Sequence, residues 1–518
     1  MRSKESTDAV DVLIVGAGAA GSLFAARFAQ AGKSVRVLEA GPAWSTTDLV
    51  SSQIWARRLK WGGWNTVAGG TNPFGYNMSH GWGLGGAALH HYAGWPRLHP
   101  EDFRTQSLYG RARDWAVSYE DLQPHYDRIQ EEMVLSGDAA AEVWRPPGTP
   151  YPQPALPTFK QGNILAAGFH KLGLRTAPAP LAILSRPVGD RQACLFDGWC
   201  DAGCPTGALA NPLVTHIPSA RRAGAQFQTQ TIVTRVLVDA KGRTTGVAFR
   251  ARGNAEQTVR AKLVVLAAST VQNVRLLFNS EVCNSSGQLG KGFVCHTIPA
   301  VYGLFDEPLD NHLGVTAGQL ISQDGYRKDA RNPGFGSYQW GIAPALKPND
   351  LLGVANTRPE LYGAKLVNFL TQSSQSLASM SAVCETLPHP DRRIELDSKR
   401  DAFGLPLPRI VNTLDADAIA LYEHATQEGL RIMKAAGARE AWHGILATSH
   451  ALGGTPMGKD PRDSVCDSYG VTHDVPNLVL AGGGLFATAG GGSPTFTIYA
   501  LSDRSAEHLL ANWSALTH

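Results

Sequence analysis

DVLIVGAGAAGSLFAARFAQAGKSVRVLEAGP, Asp11 to Pro42, is the stretch whose reading decides the fold. Val12, Leu13, Ile14 and Val15 form a short apolar run, as expected of a strand buried on both faces. Gly16, Gly18 and Gly21 then spell G-x-G-x-x-G. Ser22 to Ala31 is alanine-rich and reads as a helix that stops at Gly32, and Val35 to Leu38 reads as a second strand ending at Glu39. The whole is a βαβ unit of about thirty residues, the context in which the glycine pattern has meaning. Gly16 permits the tight turn, Gly18 lets backbone approach a pyrophosphate, and Gly21 lets helix and strand approach closely. The helix N-terminus offers N–H donors and a positive dipole end to phosphates. Glu39 falls where a carboxylate would accept hydrogen bonds from an adenosine ribose.

Outward from this unit, a length of 518 residues makes two domains the default. The 55 glycines and 31 prolines in a chain that is 43% hydrophobic point to many turns around an ordinary globular core. A net charge of +3 and a pI of about 8.4 are too mild to argue for nucleic acid as a partner. No apolar run approaches the roughly 18 residues of a transmembrane segment. The leading MRSKESTDAVD has no apolar stretch and no twin arginine, so no export signal of its own is expected. Seven cysteines is an odd count, and Cys194, Cys200 and Cys204 fall within eleven residues, which favours metal or cluster ligation over a disulfide framework.

Further along, an aromatic and glycine-rich region (Trp55, Trp61, Trp64, Phe74, Tyr76, Trp82) leads into GWGLGGAALHHYAGWPRLHPEDF at 81–103. There Gly85 and Gly86, followed by Ala87 and Ala88, suit a backbone pressed against a ligand. The stretch 114–137 predicts a capped turn at Ser118 and a main helix starting near Pro124. Residues 141–158 hold six prolines and read as an extended crossing segment. Phe227–Val238, Gly246–Phe249 and Ala261–Ala268 read as strands, and Thr270–Phe278 as a helix. Between about 300 and 440 the pattern changes. Val301–Leu304, Val315–Ile321 and Ser381–Glu385 read as strands between long polar turns, and Asp415–Ala436 as a helix. The expected fold class is α/β, α+β overall. A Rossmann-type dinucleotide-binding domain (1–105, 190–300, 440–518) carries an inserted antiparallel-sheet substrate or cap domain (106–189, 301–439).

Five ordered motifs resemble those of the glucose–methanol–choline flavoprotein oxidoreductases over nearly the whole chain. They are G-A-G-A-A-G with Glu39, G-L-G-G-A-A-L-H at 83–90, L-A-A-S-T at 266–270, H-x-x-G-G-x-x-M-G at 450–458 and G-G-x-S-P-T-x-T-I at 490–498. The resemblance implies FAD. Its phosphates would sit on Gly16, Gly18 and Gly21, its ribose on Glu39, and its adenine against the backbone around Val233. Gly483 and Leu485 would approach the pyrophosphate and ribityl chain, and Pro494 and Thr495 the flavin. His90 lies where some members tether FAD covalently and others only touch it, and both roles stay open.

Flavin carries the redox work in such a family, and the protein must place an alcohol C–H over flavin N5 and accept the hydroxyl proton. His450 occupies the family's base position, and a histidine suits that task. The family's partner residue is His or Asn, and this chain has Ser493 there, which can orient a hydroxyl but is a poor base. Cys194, Cys200 and Cys204, spaced C-x5-C-x3-C before Pro205, suit an iron–sulfur cluster. Their spacing is similar to that of the branch of bacterial sugar dehydrogenases bearing a three-iron, four-sulfur [3Fe-4S] cluster. The expected enzyme is therefore an FAD-dependent dehydrogenase that oxidises a hydroxyl of a sugar, polyol or glycoside. Its electrons would leave through the cluster to a cytochrome or quinone, and a small partner subunit is expected. Alternatives are an aryl or lignin-derived alcohol as substrate, oxygen as acceptor with the cysteines empty, and a redox-inactive FAD-binding protein. The cytoplasm and the periplasm, reached with a signal-bearing partner, are both open.

Overall fold

The computed structural model describes residues 9–61, 65–74, 80–251, 255–329 and 331–517, the Trp61 side chain excepted. Trp64 and Tyr76 lie outside the described residues. The strand Val10–Val15 is paired in parallel on both sides, with Val35–Leu38 and with the distal half of Gln257–Leu266. Gln226–Gln228 extends this parallel sheet at one edge and Leu478–Leu480 at the other. Val12 to Ile14 and Leu263 to Leu266 are fully buried, as strands covered on both faces must be. The proximal half of Gln257–Leu266 changes partner. Residues 257–260 pair antiparallel with Thr244–Ala251, which pairs in turn with Thr231–Val238.

Helix Ala19–Gln30 packs against Thr495–Ala511 and His216–Arg222, burying Leu23, Phe24 and Phe28. It starts at Gly18 because the glycine turn fits nothing larger. A Cβ on Gly21 would lie 2.0 Å from the Gly16 carbonyl oxygen, and one on Gly16 would lie 2.5 Å from that of Ala267.

A second, largely antiparallel sheet runs in the order Glu440–His443, Ala300–Leu304, Leu377–Glu385, Tyr338–Ile342, Leu320–Ser322 and Ala177–Pro178. Val294–Thr297 joins it beside Glu385 and pairs on its other side with Thr448–Leu452. Helix Ala416–Ala436, capped by the Asp415 side chain on the Ala418 N–H, covers this sheet together with Lys160–Lys171.

Several expectations need correction. Residues 440–452 belong to the second sheet, not to the first unit, because their partners are Ala300–Leu304 and Val294–Thr297. Residues 119–133, assigned to the cap, pack in the first core against Thr495–Ala511. They form one helix, Tyr119–Met133, with Pro124 inside it. The Ser118–Asp121 capping box and the burial of Leu122, Tyr126, Ile129 and Met133 outweigh the one backbone bond that the proline forfeits. The expected strand Phe227–Val238 is broken at Gln230, whose φ is +52°, so its two parts serve different neighbours. Of Val315–Ile321 only the end is strand, Leu320–Ser322. Two helices, Pro348–Ala355 and Ala364–Ser376, stand where only polar turns were read. Their apolar residues pack as a small satellite cluster with Leu304 and Leu377.

Candidate functional site

A cavity of about 1620 Å³ runs from the Rossmann glycine turn to the second sheet. Gly16, Gly18 and Glu39 line one end, with Thr231, Ile232 and Val233 beside them. Gly86 faces Gly18 across the cavity wall, and a Cβ on Gly86 would come within 2.9 Å of the Gly18 Cα. The turn that makes this approach has φ of +95° at Gly85 and +54° at Gly86, a conformation that glycine adopts freely. Gly85 itself, like Gly21, shapes the wall from behind, where its hydrogen faces Leu89.

Glu39 does more than face the cavity. Its carboxylate accepts the backbone N–H groups of Ala17 (2.9 Å), Gly41 (2.8 Å) and Gly83 (3.2 Å) and so ties the two glycine-rich turns together. Burial pushes its carboxyl up from the usual range, against the pull of these donors. Gly482 and Gly483 line the cavity from the C-terminal segment, whereas the Leu485 side chain is buried in the core. His90 also lines the cavity, and its Nε2 is buried without a hydrogen-bond partner. Burial and the nearby Lys60 charge push it down to about 3, so it is neutral. Trp95, by contrast, is core, stacked on Phe496, and Trp55 lies edge-on to Trp44.

His450, Ser493, Pro494 and Thr495 also line the cavity. His450 sits on a β-bulge. Val294 pairs with Leu452 and His296 with Ser449, so His450 and Ala451 together oppose the single residue Cys295. The φ of His450 is +60°, an uncommon conformation for a residue with a side chain. Bulges of this kind re-aim a side chain and concentrate beside active sites, where the fold holds such strain in place. The re-aimed ring meets His296 edge to face, with Nδ1 of each 2.9 Å apart. His296 is fully buried, and its Nε2 lies 2.8 Å from the Gly490 carbonyl oxygen. Burial holds His296 down at about 4, and burial together with His296 holds His450 at about 3. Sequence reading missed His296. Nothing in VCHT at 294–297 marks it, because its partner is 154 residues away.

The Gly490 loop that carries Ser493 is braced from behind by buried charges. Lys328 Nζ lies 2.7 Å from Asp102 and 3.1 Å from Glu385, and Glu385 accepts the Gly490 N–H at 3.3 Å. Tyr326 donates its hydroxyl to Asp102 at 2.6 Å.

The three loop cysteines line a separate small cavity of about 20 Å³, together with Trp199 and Leu209. The three sulfurs do not all lie within 4.8 Å of one another, so they do not converge as ligands of a single ion would. Backbone N–H groups already point at two of them, Phe196 at Cys194 and Leu209 at Cys204, each at 3.4 Å. Burial pushes Cys194 up to about 11 and Cys200 up to about 12, so as free thiols they are protonated and unreactive. This loop abuts the large cavity. Asp201, between Cys200 and Cys204, lines it and pairs with Lys60 at 2.5 Å, and Thr316, which hydrogen-bonds to Cys200, lines it too.

Comparison with known proteins decides the family. Two GMC oxidoreductase models match, one over residues 10–298 and the other over 388–502. The chain belongs to the GMC oxidoreductase family. Its relatives include the fructose dehydrogenase large subunit of Gluconobacter japonicus, 29% identical over 97% of this chain and 98% of that one. The 2-methyl-1,2-propanediol dehydrogenase of Mycolicibacterium austroafricanum is 28% identical over 98% and 96%. Among solved structures, a formate oxidase of Aspergillus oryzae superposes with a TM-score of 0.69 over 99% of this chain and all of the other, at 15% identity. The pyridoxine 4-oxidase of Mesorbium loti gives 0.64 over 96% and 98%, at 17% identity. These two likenesses show the fold.

GMC oxidoreductases carry FAD, and the cavity of this member fits it. The side-chain-free contact of Gly18 with Gly86 leaves backbone open to a pyrophosphate, and the orphaned His90 Nε2 awaits a polar neighbour. The enzyme is an oxidoreductase acting on CH–OH groups.

Proposed function

We propose that this GMC oxidoreductase is a dehydrogenase that oxidises a hydroxyl of a sugar, polyol or glycoside to a carbonyl. The observation that carries this reading is His450, neutral, strained and lining the cavity that Ser493 also lines. When bound, FAD supplies the acceptor for the hydride that leaves the carbinol carbon. His450 takes the hydroxyl proton, so the C=O bond forms as the C–H and O–H bonds break. Ser493 orients the hydroxyl by one hydrogen bond. At the second sheet, Gln339, Ser381, Thr448 and Ser449 line the cavity with groups suited to a hydroxyl-rich substrate. The relatives named for fructose and propanediol support that class. The test is anaerobic reduction of bound flavin by a panel of sugars, polyols, glycosides and aryl alcohols. Reduction by aryl alcohols alone would replace the substrate class, and reduction by none would leave a redox-inactive FAD protein.

We further propose that Cys194, Cys200 and Cys204 hold a [3Fe-4S] cluster. The C-x5-C-x3-C spacing supports this reading, as do the one cavity that all three residues line and the backbone N–H groups that two of the thiols receive. A cluster there would carry electrons singly from the flavin to a cytochrome or quinone acceptor. A partner subunit belongs to the same reading, since one relative is named a large subunit and another, from Pantoea cypripedii, a gluconate 2-dehydrogenase flavoprotein. Iron and sulfide analysis with low-temperature EPR on anaerobic protein is decisive. Cys200→Ser should remove iron and slow transfer to a dye acceptor while leaving flavin reduction intact. Iron-free protein with full alcohol-to-oxygen activity would make it an oxidase.

A further inference from the structure

The hydrogen bonds around His296 leave one arrangement of protons. The Gly490 carbonyl oxygen can only accept, so His296 Nε2, 2.8 Å away, carries a hydrogen. His296 is fully buried and neutral, so its Nδ1 is bare and accepts. The Nδ1 of His450, 2.9 Å from it, must then be the donor. A neutral imidazole has one N–H, so the remaining nitrogen of His450, Nε2, holds a lone pair. His450 lines the cavity, whereas His296 does not.

We propose that His296 is a positioning residue for the proposed alcohol oxidation. Its Nδ1 fixes His450 in the tautomer whose bare Nε2 is the base, and orients that ring by one hydrogen bond. An imidazole hydrogen-bonded to water can carry its proton on either nitrogen. With Nε2 protonated, His450 could not accept a hydroxyl proton at that atom. As the substrate proton moves to Nε2, the Nδ1–H of the imidazolium stays bonded to His296, so the bond strengthens as the reaction proceeds. The charges nearest His296 are held apart from this exchange. Asp102 and Glu385, the latter its partner across the strands, are both paired with Lys328. The site thereby uses a second histidine from behind the base, independently of Ser493. This inference rests on the proposed reaction, but the proton placement can be read without it.

The experiment uses the FAD-loaded full chain with ¹⁵N-labelled histidine. The His450 signals are assigned by their loss in His450→Ala. In the wild type, Nδ1 should report a bound proton and Nε2 a lone pair. His296→Leu should restore exchange between tautomers at His450. It should also slow flavin reduction about 10- to 100-fold at saturating substrate, the range for one hydrogen bond to a group that becomes charged, with KM little changed. His296→Asn places an amide oxygen near the Nδ1 position and should recover most of the rate. A wild-type His450 protonated on Nε2, or a folded His296→Leu with wild-type rate and unchanged tautomer, would overturn the proposal. Should both variants lose FAD, the wild-type spectrum alone decides. If no alcohol reduces the flavin but the tautomer is as stated, the reaction is wrong and the positioning geometry stands.

Discussion

At the scale of single residues, the proposed reaction hangs on His450. His450→Ala should lower the rate of flavin reduction by roughly 10²–10⁴-fold with FAD still bound, as measured by stopped-flow under nitrogen. Near-normal reduction would remove His450 as the base. Ser493→Ala removes one hydrogen bond of about 1 kcal/mol and should cost about tenfold or less. The pH dependence has a definite sign. A base works when neutral, and burial with His296 lowers the protonation of His450 from the usual 6.5 to about 3. The rate of flavin reduction after a brief pH jump should therefore hold as pH falls below 6.5. An acid limb centred at 6.5 or above would show that His450 is solvated like a free histidine.

At the scale of elements, two turns matter more than the regular strands they join. Gly86 has φ of +54°, and a Cβ added there would meet the Gly18 Cα at 2.9 Å, a clash with backbone that no rotamer change can relieve. Gly86→Ala should lose FAD during purification while circular dichroism stays native. Retention of full flavin would mean the turn has room that the geometry denies. The bulge at His450 is the other such turn. It exists because Thr448–Leu452 carries one more residue than its partner Val294–Thr297 can match, and the surplus is resolved at His450 and Ala451.

At the scale of the whole molecule, buried charge ties the domains to the site. Lys328 bridges Asp102, from the segment that follows the FAD-side turns, to Glu385 of the second sheet, and its side chain is only 3% exposed. Lys328→Met would leave two buried carboxylates without their cation and should cost about 3–5 kcal/mol, read from urea unfolding. A change below 1 kcal/mol would show that the cluster relaxes into water. Acid should act on the whole fold as well. His80, His90, His91, His296 and His450 are all held between about 3 and 4 in the folded protein by burial. Above pH 6.5 they are neutral folded or unfolded. Below it the unfolded chain binds protons that the folded one refuses, so stability should fall as pH drops from 6.5 toward 4. A Tm constant over that window would contradict the burial of these rings.

Local physics wrote the FAD end of the molecule into the sequence. G-x-G-x-x-G between two apolar runs, with an acid after the second, has one low-energy folding, and the structure has it: strand Val10–Val15, helix Ala19–Gln30, strand Val35–Leu38 and Glu39 at the cavity. His450 and Ser493 were singled out by their places in two motifs that resemble the family's, and both line the cavity. What stayed hidden rests on contacts between distant segments. The capped helix through Pro124 is set by core burial, and the transfer of residues 440–452 to the second sheet by strand partners more than a hundred residues away. The same holds for the site. Glu39 reads as a ribose ligand, but its three backbone donors come from turns that only the tertiary fold brings together. The tautomer of His450 is decided by His296 and the Gly490 carbonyl, because a proton's position on an imidazole depends on what faces the other nitrogen, and one chain position cannot encode that.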